Sequence, residues 1–203
     1  MSDVTPIHVV AICGSLREIS YTEMALRIAL TGAKEVGATT HLITLREYDL
    51  SFCEGPVDGK DDDRLREDVA KAQGIILGTP VYHGGMSGVL KNALDLMGSD
   101  EFSGRVVGLV GVAGGSMGAA LTLASLRNIG RSLHSWVIPN EASIPNSKDA
   151  FRDDEQPHDL KIQKRLLTVG RDVARFAYMH HSEQTLDFVR AWERSMENPG
   201  TES

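Results

Sequence analysis

"IHVVAICGSLREISYTEMALRIALTGAKEV", residues 7–36, decides the fold. Its first six residues form an apolar, β-branched run that reads as a buried strand. From Tyr21 onward the period becomes helical, with Ala25, Ile28, Ala29, Ala33 and Val36 on one face. Between the two, Gly14 to Thr22 is polar and carries the cation Arg17. A strand that feeds a helix through such a loop is a βα unit, and its first helical N–H groups have no partner inside the helix. The same alternation continues down the chain. "THLITL" (40–45), "GIILGTPV" (74–81), "RVVGLVGVA" (105–113) and "HSWVIP" (134–139) read as strands. Helical stretches fall at 61–72, 87–97 and 117–133, with a last long helix over about 158–180 and a short one over 183–196. The tail "ENPGTES" is expected to fray.

Five strands alternating with helices imply parallel pairing, because a parallel pair needs a crossover and that crossover is nearly always a right-handed helix. The expected fold is a doubly wound, five-stranded parallel sheet with helices on both faces, in one domain spanning residues 1–203. In such folds ligands bind outside the carboxyl ends of the strands, where strand order reverses. The loops after strands one, three and four are therefore read together: Gly14 to Thr22, "PVYHGG" and "AGGSMG".

Composition narrows the partner. With 203 residues, 41% apolar and 24% charged, the chain suits one soluble globular domain, and no apolar run approaches membrane-spanning length. A net charge of −7 argues against nucleic acid, which requires a basic surface. "MSDVTPIH" has no basic segment followed by an apolar core, and two cysteines, Cys13 and Cys53, make no disulfide framework. The reading is a reduced, cytoplasmic protein. The acidic run "DGKDDDRLRED" (58–68) lacks the ligand spacing of a calcium loop and reads as a solvated helix start.

Neither G-x-G-x-x-G nor G-x-x-x-x-G-K-[ST] occurs, so dinucleotide and ATP cradles lack their signatures. The first loop instead offers hydroxyls at Ser15, Ser20 and Thr22, the Arg17 guanidinium and the amides of a helix start, which together suit a phosphate monoester. The alternative is that Ser20 merely caps the helix. The second loop places a proline, an aromatic ring, an imidazole and two glycines beside it, whose backbone can bond the edge of a flat heterocycle. A flat ring next to one terminal phosphate points to FMN, with no cradle for the pyrophosphate of FAD.

"GSLREIS", "TPVYHGGMSGVLKNALD" and "AGG" together resemble the NADPH-dependent FMN reductases of the flavodoxin-like superfamily, over residues 7 to about 145. The usual motifs there are G-S-x-R-x-x-S-x-N and T-P-x-Y-[HN]-G-x-x-x-G-x-L-K-N-x-[LI]-D. Thr22 departs from the family asparagine, keeping a hydroxyl and losing an amide donor. The resemblance implies that Ser15, Leu16, Arg17, Ser20 and Thr22 surround the phosphate. By the same resemblance Pro80, Val81, Tyr82, His83 and Gly84 line the isoalloxazine ring, and Gly114, Gly115 and Ser116 close the third side. It also implies NADPH or NADH as electron donor, a small-molecule acceptor such as free FMN, a quinone, an azo compound or a metal oxyanion, and a homodimer or homotetramer.

Such chemistry requires no acid, base or nucleophile from the chain, and no metal. His83 is expected to hydrogen-bond or pack, Cys13 to be a small buried residue, and Lys91 and Asn92 to be structural or interfacial. Adjacent His180 and His181 cannot both face one metal from a helix. Trp136 and Trp192 read as core or interface residues. In the helix at 87–97, apolar Val89, Leu90, Ala93, Leu94, Leu96 and Met97 make a band wider than one sheet contact needs, and a second copy of the chain is the expected cover. The competing reading is a flavodoxin-like electron carrier that does not itself oxidise NAD(P)H.

Overall fold

The computed structural model describes residues 6–195. Its five strands, β1 (His8–Cys13), β2 (Thr39–Thr44), β3 (Gly74–Pro80), β4 (Val106–Val112) and β5 (Trp136–Ile144), form one sheet in the order β2-β1-β3-β4-β5, every pair parallel. This is the flavodoxin-like order, whose reversal point lies between β1 and β3. The three central strands are buried on both faces, which is why they are written as unbroken apolar runs.

Eight helices complete the described chain. They are α1 (Tyr21–Glu35), α2 (Asp62–Ala70), α3 (Gly88–Asp95), α4 (Ser99–Phe102), α5 (Ala120–Ser132), α6 (Ser147–Ala150), α7 (Leu160–His181) and α8 (Glu183–Ser195). A 3₁₀ turn follows β2 at Leu45–Glu47. One core joins α1 and α7 to the sheet through Leu26, Ala29, Ala33, Leu166, Val169 and Val173. The other joins α2, α3 and α5 through Leu65, Val69, Leu90, Ala93, Leu94, Leu123 and Leu126. α1 and α7 cross at backbone contact. A Cβ on Gly170 would fall 1.7 Å from Ala29 O, and one on Gly32 would fall 2.1 Å from Leu167 O.

Several sequence expectations shift. β5 runs five residues beyond the predicted end at Pro139, because its register slips between Val107 and Leu109 and residues 138–140 bulge out. An edge strand tolerates proline at such a bulge. α5 begins at Ala120 and not at Met117, since Gly118 sits at φ 67° and its N–H reaches back to Gly115 O. The wide apolar band on α3 is covered inside the chain: Leu90, Ala93, Leu94 and Met97 are buried, and Val89 packs against the same core. Trp136 is no core residue, being 61% exposed and stacked on His180 at 5.4 Å. The expectation for the tail 197–203 lies outside the described residues. No helix among the described residues is long and apolar enough to cross a membrane.

Candidate flavin site

β1 and β3 are neighbours, so the loops that leave their carboxyl ends start side by side. They are tied together at Gly14. Its N–H donates to Gly78 O at 2.8 Å, and its carbonyl accepts from Ser87 Oγ at 2.6 Å. A Cβ here would meet Leu90 Cβ at 2.7 Å, so the glycine serves close approach between the loop and α3. Ser87 also caps α3 by accepting from Leu90 N at 3.3 Å, and its own N–H donates to the Thr79 hydroxyl at 2.9 Å. Both side chains are buried.

Beyond Gly14 the first loop opens outward. Ser20 is the N-cap of α1, accepting from Glu23 N at 3.2 Å, and its hydroxyl also lies against Cys13 Sγ at 4.0 Å. The N–H groups of Leu16, Glu18, Ile19, Ser20, Tyr21 and Thr22 find no acceptor among the described residues. Arg17 is exposed, and its guanidinium has no acidic partner among them. Ser15 accepts from Arg17 N at 3.4 Å. Thr22 is only 2% exposed, so what it presents here is its backbone N–H. Unpaired amides, a helix N-terminus and an uncommitted guanidinium form a donor set that matches a dianionic phosphate.

The second loop is a tight turn. Tyr82 and Gly85 exchange both backbone hydrogen bonds at 2.9 Å, and His83 and Gly84 between them have φ of 52° and 80°. That is a type I′ turn, for which glycine at the second position is suited and a histidine at the first is strained. Its tip is pinned to α5, Thr122 Oγ1 donating to Gly84 O at 3.1 Å. Val81, Gly84 and the third loop, Ala113 to Gly118, then enclose a cleft of about 480 Å³ with Leu121 and Thr122. No charged side chain lines it. Met117, 91% exposed, overhangs it. The described N–H groups of His83, Gly84, Gly114, Gly115 and Ser116 are unpaired. The cleft therefore suits the apolar faces and acceptor edge of a flat heterocycle. A larger apolar groove, about 730 Å³, lies among Pro6, Ile7, Val36, Ala38, Ala174 and Tyr178 at the amino ends of the strands, away from the crevice this fold provides.

Sequence reasoning passed over the side chains that hold these loops. Ser87, Thr79 and Thr122 are three of them. Glu23 and Arg46 are the others: Arg46 Nη1 donates to Glu23 Oε2 at 2.6 Å and to Arg17 O at 3.2 Å, while Arg27 binds the other Glu23 oxygen. Burial alone would raise the Glu23 carboxyl, but the hydrogen bonds and charges of Arg46 and Arg27 outweigh it and hold the carboxyl below its ordinary range. Ser87 had a local signal, a serine three residues ahead of an apolar helical position. Arg46 had none.

Residues set aside by the sequence reading make structural contacts, and the acidic run, expected to be a solvated helix start, also places the buried Asp62 against a loop. Cys13 is buried 4.0 Å from Ser20 Oγ, and burial pushes its thiol up, away from nucleophilic use. Asn92 holds the 51–53 segment, donating to Ser51 O at 2.8 Å and accepting from Cys53 N at 3.2 Å, and Lys91 pairs with Asp95. His180 stacks on Trp136 while His181 bonds Gly104 O at 3.1 Å. In the acidic run, Asp61 and Asp62 accept from the N–H groups of Asp49 and Ser51, fastening the preceding loop.

Sheet order and the loops at the carboxyl ends of β1, β3 and β4 define a flavodoxin-like fold with a candidate flavin-nucleotide site. The chain belongs to the NADPH-dependent FMN reductase family, whose model matches residues 7–149. An FMN-dependent NADPH-azoreductase of Staphylococcus aureus (strain USA300) is 42% identical over 90 residues, 44% of this chain. The match spans about half of that relative, 47% of its length. Among solved structures, the flavoenzyme NAD(P)H:(acceptor) oxidoreductase FerB from Paracoccus denitrificans superposes with a TM-score of 0.72 at 23% identity, covering 86% of this chain and 98% of that one. An oxidoreductase from Corynebacterium diphtheriae gives 0.70 at 17% identity, covering 87% and 99%. At these identities the structural likeness speaks for the fold.

Proposed function

We propose that this protein is an FMN-dependent NAD(P)H oxidoreductase acting as a single domain, with its site formed by Ser15, Leu16, Arg17, Ser20, Thr22, Pro80 to Gly84 and Gly114 to Ser116. The observation that carries the reading is the uncommitted guanidinium and run of unpaired amides at the start of α1, placed beside an uncharged cleft. Bound FMN supplies a ring that takes a hydride from the nicotinamide and passes two electrons to an acceptor. The chain's part is binding and placement. Arg17 and the α1 amides hold the phosphate end, and the Ser20 hydroxyl donates to it. His83, Gly84, Gly114 and Gly115 offer N–H groups to the ring edge, while Val81, Ala113 and Met117 exclude water from its face. No side chain of the cleft is an acid or base. Donor and acceptor share one open face in turn, which gives ping-pong kinetics.

The acceptor is a small molecule, and we place the protein in the cytoplasm. A second copy bordering the open face of the ring, in a homodimer or homotetramer, completes the proposal. NAD(P)H consumption by the purified, FMN-loaded protein tests the reading: turnover with an azo dye or quinone supports it, and absence of NAD(P)H oxidation points to an electron carrier. Intersecting initial-rate lines, in place of parallel ones, overturn the shared-face mechanism.

A further inference from the structure

β2 lies beside β1 with Thr44 against Cys13, so the 3₁₀ turn Leu45–Glu47 and the first loop leave neighbouring strand ends together. Arg46, half-buried in that turn, reaches the loop. Its Nη1 donates to two atoms, Glu23 Oε2 at 2.6 Å and Arg17 O at 3.2 Å. Among the described residues no other donor reaches a carbonyl of residues 15–19. A trans peptide sets its C=O and N–H in opposite directions. With the Arg17 carbonyl turned to Arg46, the Glu18 N–H points away from it, and that N–H is one of the unpaired amides of the loop.

The second bond of Arg46 concerns charge. Glu23 is buried in the first turn of α1, where its carboxylate would compete with a phosphate for the same helix start. Arg27 takes Oε1 and Arg46 takes Oε2, so each carboxylate oxygen already has a cationic donor. The other terminal nitrogen of Arg46, Nη2, stands 3.8 Å from Glu47, which is exposed and screened by water. One arginine thus orients a loop amide and offsets the carboxylate beside it.

We propose that Arg46 is a positioning residue for the flavin phosphate: it acts without touching the ligand, by fixing the Arg17–Glu18 peptide and by keeping Glu23 from opposing the phosphate. The proposal rests on the reading of the first loop as the phosphate site and adds to it a residue from the turn after β2.

Flavin fluorescence quenching by the full chain, with FMN and with riboflavin as probes, tests it. Arg46→Ala is expected to lose roughly 2- to 12-fold in FMN affinity, the range of one hydrogen bond, and to bind riboflavin as the wild type does. Arg46→Lys keeps a cation for Glu23 on a shorter reach, so it is expected to lose less, again for FMN alone, and it carries the test where the alanine variant does not fold. Because Arg46 acts through the Arg17 peptide, Arg17→Ala with Arg46→Ala is expected to cost less than the product of the two single losses. Unchanged FMN affinity in the Arg46 variants, an equal fall for FMN and riboflavin in a folded variant, or a double variant that shows the full product each overturns the proposal. A wild type that binds riboflavin as tightly as FMN overturns the phosphate-loop reading itself, and the proposal with it.

Discussion

Replacing Arg17 with alanine separates the phosphate site from the ring site. The Arg17 guanidinium has no acidic partner among the described residues, so its loss removes no folding contact and the apo protein should melt at an unchanged temperature. What is lost is one charge-assisted hydrogen bond to the phosphate, about 1.5–3 kcal/mol, or roughly 10- to 150-fold in Kd. Arg17 is exposed, and water screens the bond it would form, so the low end, roughly tenfold, is the expected value. Flavin fluorescence quenching gives Kd for FMN and, in parallel, for riboflavin, which has the same ring and no phosphate. FMN affinity should fall in the variant and riboflavin affinity should not. An equal fall for both ligands would show that Arg17 acts on the ring or on the loop as a whole. Unchanged FMN affinity would show that the guanidinium stays in solvent and that the donor set has been misread.

Three further perturbations address the scaffold. Ser87→Ala removes the α3 cap, about 1 kcal/mol, and leaves the Gly14 carbonyl without its donor, about 1–3 kcal/mol, so thermal melting should fall by roughly 4 to 16 °C, and a shift below ~2 °C refutes the tie between loop and helix. Gly170→Ala sets a Cβ against the Ala29 carbonyl, a backbone atom that cannot swing aside, and should cost more than ~3 kcal/mol in urea denaturation, with near-neutral behaviour counting against the close α1–α7 crossing. Glu23 titrates below its unfolded value of 4.5, so its stabilisation is fully present above that pH and is lost as pH falls through the lower folded value. The stability gap between wild type and Glu23→Gln should therefore be constant at neutral pH and shrink on acidification below about 5; a gap that widens in acid contradicts the Arg46 and Arg27 assignment.

The fold was legible because its central strands are buried on both faces. "VVAI", "GIIL" and "VVGLVGV" are unbroken apolar runs too short for helices, and the helices between them carry one apolar stripe each. The candidate site was legible where its features are local. Ser20 as cap, the glycines of the second loop and the uncommitted Arg17 are local features that a strand–loop–helix pattern exposes. The supports were not, because each depends on contacts between distant segments. Arg46 reaches Glu23 and Arg17 only when β2 lies beside β1, and Thr122 meets Gly84 only when α5 packs behind the second loop. β5 was cut short at Pro139 for the same kind of reason: a proline ends a strand unless a neighbour's register lets it bulge, and that register belongs to β4.

Amphipathic helices draw the clearest boundary. α3 and α8 both present more apolar surface than a single sheet contact requires, and from periodicity alone α3 was the one expected to seek a second copy. Its position decides otherwise. α3 sits in the helix layer that also holds α2 and α5, against the 3₁₀ turn after β2, so Val89 and Met97 find cover on flanks that a helical wheel leaves blank. α8 follows a buried joint at the end of α7, in the opposite layer, and the apolar residues Phe188 and Val189 meet solvent. The width of an apolar stripe measures how much cover a helix needs; its place in the layer decides whether the chain itself provides it. The ring-side copy proposed above therefore rests on the open flavin face and no longer on α3.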